Sequence, residues 1–220
     1  MQLIMIEQIR RDPEILAYIE GGNKHLEALG FTEHGFRHVG LVSHIARNIL
    51  ERMGFSEREC ELAEIAGFMH DIGNVINRTS HAQMGALLAS RILVRLGMEP
   101  AEISTIIGAI GNHDEESSHP VNHVSAALIL ADKSDVHRTR VRNPNVMTFD
   151  IHDRVNYAVE RSFLRVYPQE RVTLELEIDT EICPVMDYFE IFLSRMILCR
   201  LAAEYLHTVF SLQVNGVRLL

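Results

Sequence analysis

The sequence predicts a mainly α-helical bundle over residues 1–145, followed by a small C-terminal α+β subdomain over residues 146–220 in the order ββαββ. Two observations predict this fold class. Apolar residues recur at spacings of three and four through most of the first part, which is typical of amphipathic helices. From Ser162 onward, alternating runs flank one long apolar stretch, which is typical of short strands around a helix. The boundary is placed at Asn143-Pro144.

Composition limits the kinds of protein that the chain can be. It has 220 residues, 47% of them hydrophobic and 23% charged, as in an ordinary globular protein. A net charge of -9 disfavours binding to long nucleic-acid backbones. The first ten residues lack a basic region, and no uncharged apolar run reaches the length of a membrane span, so a cytoplasmic protein is expected. The three dispersed cysteines argue against a disulfide framework or a cysteine zinc site.

Helix signals follow one another along the first part of the chain. Asp12-Pro13 starts a helix that Gly21-Gly22 is expected to stop near residue 20, and a second short helix should end at Gly30. A long amphipathic helix then covers 36 to 54. Its first turn contains His38.

The next helix has a capping box, formed by Ser56 and Glu59, and runs to His70. Gly73 is expected to end it in a backbone conformation that other residues avoid. A further helix begins at His81, after Thr79 or Ser80, and continues to Gly97.

Two more helices complete the predicted bundle. Pro100 opens the first, which places His113 at the end of its apolar face. A polar loop covers 114 to 122, and the second helix covers 123 to about 135. Asp132 lies on the same face of that helix as Leu128, and a buried aspartate requires a partner.

In the tail, Pro168-Gln169-Glu170 separates two strands, a helix covers about 185 to 206, and Asn215-Gly216 predicts a two-residue turn. That helix is apolar over a wider arc than one small sheet covers. A homodimer is therefore expected.

Several histidines and aspartates fall near predicted helix ends, where side chains from different elements can converge. They are His38, His70, Asp71, His81, His113 and Asp132. A lone buried histidine is more often a hydrogen-bonded core residue. A set of inward polar groups would need a separate partner for each member, so one or two divalent metal ions are the preferred interpretation.

The order His38, His70-Asp71, Asp132 resembles the H…HD…D signature of the HD superfamily of metal-dependent phosphohydrolases, over roughly residues 30–140. The segments FMHDIG at 68–73 and LADKSD at 130–135 carry most of the resemblance. It implies an HD-domain helical bundle in which those four residues hold one ion. His81 and His113 would hold a second ion, bridged by Asp71, with His123 as the alternative to His113. The metal could be Fe, Mn, Zn, Mg, Co or Ni.

The resemblance also directs attention to substrate-binding and catalytic candidates. Family members often have a lysine where this chain has Asn74, and the motifs of the cyclic-dinucleotide and alarmone branches are missing. The candidates for phosphate or substrate binding are Lys133, Arg138, Arg78 and His34. Lys133 and Arg138 belong to a basic cluster after Asp132 that also contains Arg140 and Arg142. A solvated helix end paired with carboxylates is the alternative interpretation of this cluster. The catalytic candidates are Asp71, Asp114 and Asp135. The latter two could instead orient neighbouring groups, and Asp135 could pair with Arg138.

The resulting functional hypothesis is hydrolysis of a small phosphate ester, a nucleotide or related metabolite, by metal-activated water. A di-iron oxygenase on the same scaffold is one alternative, because the same ligands suit iron. A non-catalytic nucleotide-binding sensor is the other. No membrane partner is expected.

Overall fold

The computed structural model describes residues 3–114 and 119–219, and these form nine α-helices and one four-stranded sheet. The helices are α1 Ile6–Ile9, α2 Pro13–Ala28, α3 Phe36–Arg52, α4 Glu57–Met69, α5 His81–Leu96, α6 Pro100–Gly111, α7 His123–Lys133, α8 Ile151–Ala158 and α9 Val185–Tyr205. The strands are β1 Val159–Tyr167, β2 Arg171–Ile178, β3 Val209–Val214 and β4 Val217–Arg218. The predicted fold class is confirmed.

Helix α2 differs from the prediction, because it continues through Gly21-Gly22 and ends at Ala28. Its start is as predicted, since the Asp12 side chain accepts hydrogen bonds from the backbone N–H groups of Glu14 and Ile15. A Cβ on Gly22 would lie 3.1 Å from the backbone nitrogen of Val75. The glycine is therefore needed for close packing between α2 and the segment after His70-Asp71.

Helix α4 starts at the predicted capping box, in which the side chains of Ser56 and Glu59 bond each other's backbone N–H groups. It ends at Met69, and Ile72–Val75 forms a 3-10 turn. The expected left-handed backbone conformation of Gly73 is wrong, because its φ is not positive. A Cβ at this position would lie 1.9 Å from the carbonyl oxygen of His81. Gly73 thus allows the turn to pack directly against α5.

The starts of α5, α6 and α7 are confirmed at His81, Pro100 and His123. Residues 115–118 of the predicted polar loop lie outside the described residues. Helix α8 was not predicted, although Asp150 gives a helix-start signal by accepting a hydrogen bond from the Asp153 N–H group.

The C-terminal elements follow the predicted ββαββ order. Strands β1 and β2 form an antiparallel hairpin, β2 and β3 are parallel with α9 between them in sequence, and β3 and β4 are antiparallel. Asn215 and Gly216 have φ values of 49° and 80°, as a two-residue hairpin turn requires.

One hydrophobic cluster includes residues from both sides of residue 145. Helix α7 lies near its centre, with residues 126–131 fully buried, and α9 packs against α7. The C-terminal elements therefore share a core with the helical bundle, and the division at residue 145 stays a prediction. Among the described helices, none combines the length and the apolar character that crossing a membrane requires.

Candidate metal centre

Four of the predicted ligands meet where α3, α4 and α7 come together. His38 lies in the first turn of α3, His70 and Asp71 follow α4, and Asp132 lies near the end of α7. The Nε2 atom of His38 is 3.2 Å from Nε2 of His70, 3.6 Å from Oδ2 of Asp71 and 3.3 Å from Oδ1 of Asp132. Ligand atoms arranged tetrahedrally at about 2.1 Å from a metal ion are about 3.4 Å apart. The spacing therefore fits one divalent ion.

A second group of ligands lies on the other side of Asp71. Oδ1 of Asp71 is 3.4 Å from Nε2 of His81 and 4.0 Å from Nε2 of His113, and these two nitrogens are 3.2 Å apart. Oδ2 of Asp71 faces the first group, 3.5 Å from Nε2 of His70. Each carboxylate oxygen thus faces a different group, the geometry of a ligand that bridges two ions.

Hydrogen bonds fix which nitrogen of each histidine carries the proton. Three rings donate from Nδ1 to the carbonyl oxygen of the residue three positions earlier: His70 to Gly67 at 2.8 Å, His81 to Arg78 at 2.9 Å and His113 to Ile110 at 2.7 Å. Nδ1 of His38 donates to Oδ2 of Asp135 at 2.7 Å. In the neutral rings every Nε2 is then an acceptor, which is the form that ligates metal.

This arrangement brings acceptor atoms close together, and Nη1 of Arg78 lies 3.3 Å from one of them, Nε2 of His81. The Nε2 atoms of His38 and His70, and likewise those of His81 and His113, lie 3.2 Å apart. Oδ2 of Asp71 is buried and has no hydrogen-bond partner among the described residues. Neighbouring lone pairs repel and a buried unpaired carboxylate oxygen is costly, unless a cation lies between them. The residues present therefore fit bound divalent metal.

Burial also favours the neutral histidines. It lowers the pKa of His70, and burial together with the nearby rings of His70 and His81 lowers the pKa of His113 to about 3. Burial opposes ionisation of Asp71, yet the surrounding imidazoles hold the pKa of that carboxyl well below its usual value. Burial and Arg140 oppose protonation of His38, but its contacts with Asp132 and Asp135 raise its pKa above the usual value. Neutral His70 and His113 beside a carboxylate suit metal binding near neutral pH.

Asp135 and Asn74 hold the ligands in place. Asp135 accepts from His38 and from both terminal nitrogens of Arg37, at 3.2 and 2.7 Å, and lies 3.6 Å from Nε of Arg140. It does not make the expected pair with Arg138. Asn74, at the place of the family's lysine, donates to Oδ1 of Asp71 at 2.8 Å. The sequence shows the missing lysine but does not predict this contact between Asn74 and Asp71.

A small polar cavity, the inner cavity, lies at the metal centre, and the structure brings four other predicted residues to it. His34, Arg78, Asp114 and Lys133 all line it. Nζ of Lys133 is 2.8 Å from Oδ2 of Asp132 and 3.9 Å from Oδ1 of Asp114. Burial raises the pKa of Asp114, but Lys133, His81, His113 and Arg78 together outweigh that effect and lower it.

Two predicted residues lie elsewhere. Arg138 pairs with Glu160 at 2.9 Å and lies over the ring of Tyr157, outside the lining of this cavity. His123, the alternative to His113, is 3.7 Å from Glu59, and its ring packs against Phe55. The structure therefore places His113, and not His123, in the second ligand group.

An outer cavity of about 370 Å³ adjoins the metal centre. It shares His34, Arg78, Arg140 and Arg195 with the inner cavity. Arg140 belongs to the basic cluster after Asp132, whereas Arg195 was not among the predicted site residues. A signal for Arg195 existed, because it interrupts the apolar stretch IFLSRMILC of α9. Only the fold shows that this stretch reaches the site.

A helical bundle that gathers histidines and aspartates from the ends of five helices is typical of a metal-binding domain of helical type. The family model of the HD domain matches residues 35–158, and the chain belongs to this family. It is similar to a solved structure of a predicted HD superfamily hydrolase from an uncultured Thermotogales bacterium, with 25% identity over 60% of this chain and 74% of that chain, and a TM-score of 0.46. No curated protein matches this sequence.

Proposed function

We propose that the protein is a phosphohydrolase that uses two divalent metal ions to hydrolyse a small phosphate ester, a nucleotide or related metabolite. The observation that carries the proposal is the bridged ligand set beside a cationic cavity. Arg78, Arg140, Arg195 and Lys133 line the cavity at the metal centre. Guanidinium and ammonium groups suit phosphate oxygens in charge and geometry.

Bound divalent ions would lower the pKa of water and offset the charge of the phosphoryl group. The chain's own residues have separate tasks. Asp71 holds both ligand groups at a fixed separation, and the arginines orient the phosphate. Asp114 lines the cavity. Burial raises its pKa, but Lys133, His81, His113 and Arg78 together lower it by more, so the carboxyl is ionised and can act as a weak base towards the attacking water.

The test combines metal analysis with a phosphate-release screen. Protein purified without added metal is analysed for metal content and then assayed on nucleotides and sugar phosphates with Mn²⁺, Fe²⁺, Co²⁺, Ni²⁺, Zn²⁺ and Mg²⁺. Asp71→Ala should lose metal and turnover with nearly unchanged helix content. Glu160→Gln, a carboxylate change outside the cavity, should keep both. Turnover of Asp71→Ala at wild-type metal content would refute the proposal.

The same screen separates the two alternatives. A di-iron oxygenase would contain iron and consume oxygen, and would release no phosphate under anaerobic conditions. A sensor would bind a nucleotide tightly without turnover in any divalent metal. The cationic cavity favours phosphate-ester hydrolysis over oxygen chemistry, which needs no arginines at the site.

A further inference from the structure

The outer cavity continues the metal site towards the C-terminal elements. Its walls come from residues 29–34, from α8 and from α9, and four of its lining residues also line the inner cavity. Its volume of about 370 Å³ is at the small end of the range for small-molecule pockets. A substrate with its phosphate at the metal centre would place its remaining part here.

The inner end of this cavity is built for an anion. Arg195 lies 4.3 Å over the ring of Phe192, and Arg78 lies 5.9 Å from the ring of Phe31. The buried Arg140 guanidinium donates to the carbonyl oxygens of Glu33 and Asp135. Stacking and backbone hydrogen bonds thus hold these guanidinium groups near the metal ligands.

The outer wall has the opposite character. Asp150, Asp153 and Asn156 line it from α8. Asp150 is engaged as the N-cap of that helix. Asp153 is 9% exposed and accepts from Nδ2 of Asn143 at a long 3.3 Å. Asn156 donates from Nδ2 to the carbonyl oxygen of His152 at 2.8 Å, so its Oδ1 can accept. This wall therefore offers hydrogen-bond acceptors.

The two ends together impose one orientation on a substrate. A phosphate is attracted by the arginines and repelled by the carboxylates of α8. Hydroxyl groups are bound where carboxylate and amide oxygens are available. Apolar alcohols gain little binding free energy there, because they desolvate the carboxylate without donating a hydrogen bond to it.

We infer that the outer cavity is a leaving-group subsite, in which Asp153 and Asn156 bind the hydroxyl groups of a sugar-like alcohol esterified to the phosphate. The inference rests on the proposed phosphohydrolase function. It assigns α8, among the C-terminal elements, a role in substrate selection.

The test uses two phosphate monoesters that differ in the alcohol, ribose 5-phosphate and n-butyl phosphate, with the metal-loaded protein. The kcat/KM of the wild type should be at least about tenfold higher for ribose 5-phosphate than for n-butyl phosphate. The reason is that the sugar hydroxyl groups donate hydrogen bonds to the charged Asp153 carboxylate. Asp153→Asn should lower kcat/KM for ribose 5-phosphate by a factor of about ten or more. The factor by which it lowers kcat/KM for n-butyl phosphate should be at least about five times smaller. Arg195→Gln should instead lower both by similar factors.

Two matched controls are available: Glu160→Gln changes a carboxylate just after α8, and Arg200→Gln changes an exposed arginine on α9. Neither residue lines the cavity, and neither substitution should alter the ratio of the two kcat/KM values. Thermal melting of each variant checks that it is folded. Equal losses on both esters in a folded Asp153→Asn variant would overturn the inference.

Calorimetric binding of the same two esters separates this inference from the proposed function. Selective binding of ribose 5-phosphate that Asp153→Asn removes, without any hydrolysis, would support the subsite and contradict the phosphohydrolase. Hydrolysis without preference for either ester would support the phosphohydrolase and overturn the subsite. Absence of both binding and hydrolysis would overturn both.

Discussion

Replacing Asp71 by asparagine should weaken the two metal positions unequally. Oδ1 of Asp71 accepts a hydrogen bond from Nδ2 of Asn74 at 2.8 Å, whereas Oδ2 faces Nε2 of His70 at 3.5 Å. In Asp71→Asn, the new amide oxygen should take the Oδ1 place, because the Asn74 amide group there needs an acceptor. The new NH₂ group then faces the first ligand group, where nitrogen with hydrogens cannot ligate.

The size of the effect follows from the ligand count. The first group has four ligands, from His38, His70, Asp71 and Asp132, and it loses one of them. Four-ligand zinc sites bind with about 10–16 kcal/mol, so one ligand corresponds to about 3 kcal/mol, or about 100-fold in affinity. The second group keeps an oxygen ligand and loses only its negative charge, so its affinity should fall less.

Metal titration against a competing chelator, with metal content from elemental analysis, measures both affinities. The wild type should hold two ions and Asp71→Asn one tightly bound ion. Adding His113→Ala should remove that remaining ion, whereas adding His38→Ala should leave it. Asp114→Asn, a carboxylate change in the same cavity, serves as the control and should keep two. Equal weakening of both positions, or loss of the ion held by His81 and His113, would refute the reasoning.

Three further predictions concern stability and assembly. Asp12→Ala should lower the free energy of unfolding by about 1 kcal/mol at pH 7. Burial opposes ionisation of Asp12, but its hydrogen bonds lower its pKa below 3.8 in the folded state. The loss of stability should therefore shrink as the pH falls below 3.8 and through the folded-state pKa. Urea titration at pH 7 and at pH 3 measures this change. Gly73→Ala places a Cβ 1.9 Å from a carbonyl oxygen and should cost at least about 3 kcal/mol in the same assay; a wild-type denaturation midpoint would contradict this. Leu193 and Ile197 of α9 are 54% and 44% exposed. The double substitution Leu193→Glu with Ile197→Glu should therefore convert the expected homodimer into a monomer, as measured by light scattering. A monomeric wild type at micromolar concentration would contradict the dimer.

The helix starts were predictable because local chemistry determines them. The capping box at Ser56, the prolines at positions 13 and 100, and the turn at Asn215-Gly216 are signals within a few residues. Gly21-Gly22 was misleading, because its glycines serve a contact with Val75, more than 50 residues away. A short-range signal cannot distinguish a helix stop from a close approach between elements.

The members of the candidate ligand set were also predictable, since helix phase and the resemblance to the HD superfamily pointed to residues that the structure brings together. The surrounding contacts were not. The hydrogen bond from Asn74 to Asp71, the pairing of Asp135 with Arg37 and the approach of Arg195 depend on how the elements pack. Sequence spacing carries no information about such contacts between distant segments.

The hydrogen bonds that orient the histidines make the two ligand groups differ in their sensitivity to substitutions. His70, His81 and His113 each donate to a backbone carbonyl oxygen three residues earlier, and side-chain substitutions cannot remove that acceptor. His38 alone among these four depends on a side chain, Asp135, which Arg37 and Arg140 hold in turn. Arg37 and the buried Asp135 also line a cavity of about 490 Å³ between α3 and β1, outside the metal centre. Changes in that cavity therefore give evolution, or a protein engineer, a way to tune one metal position while leaving the other unaltered.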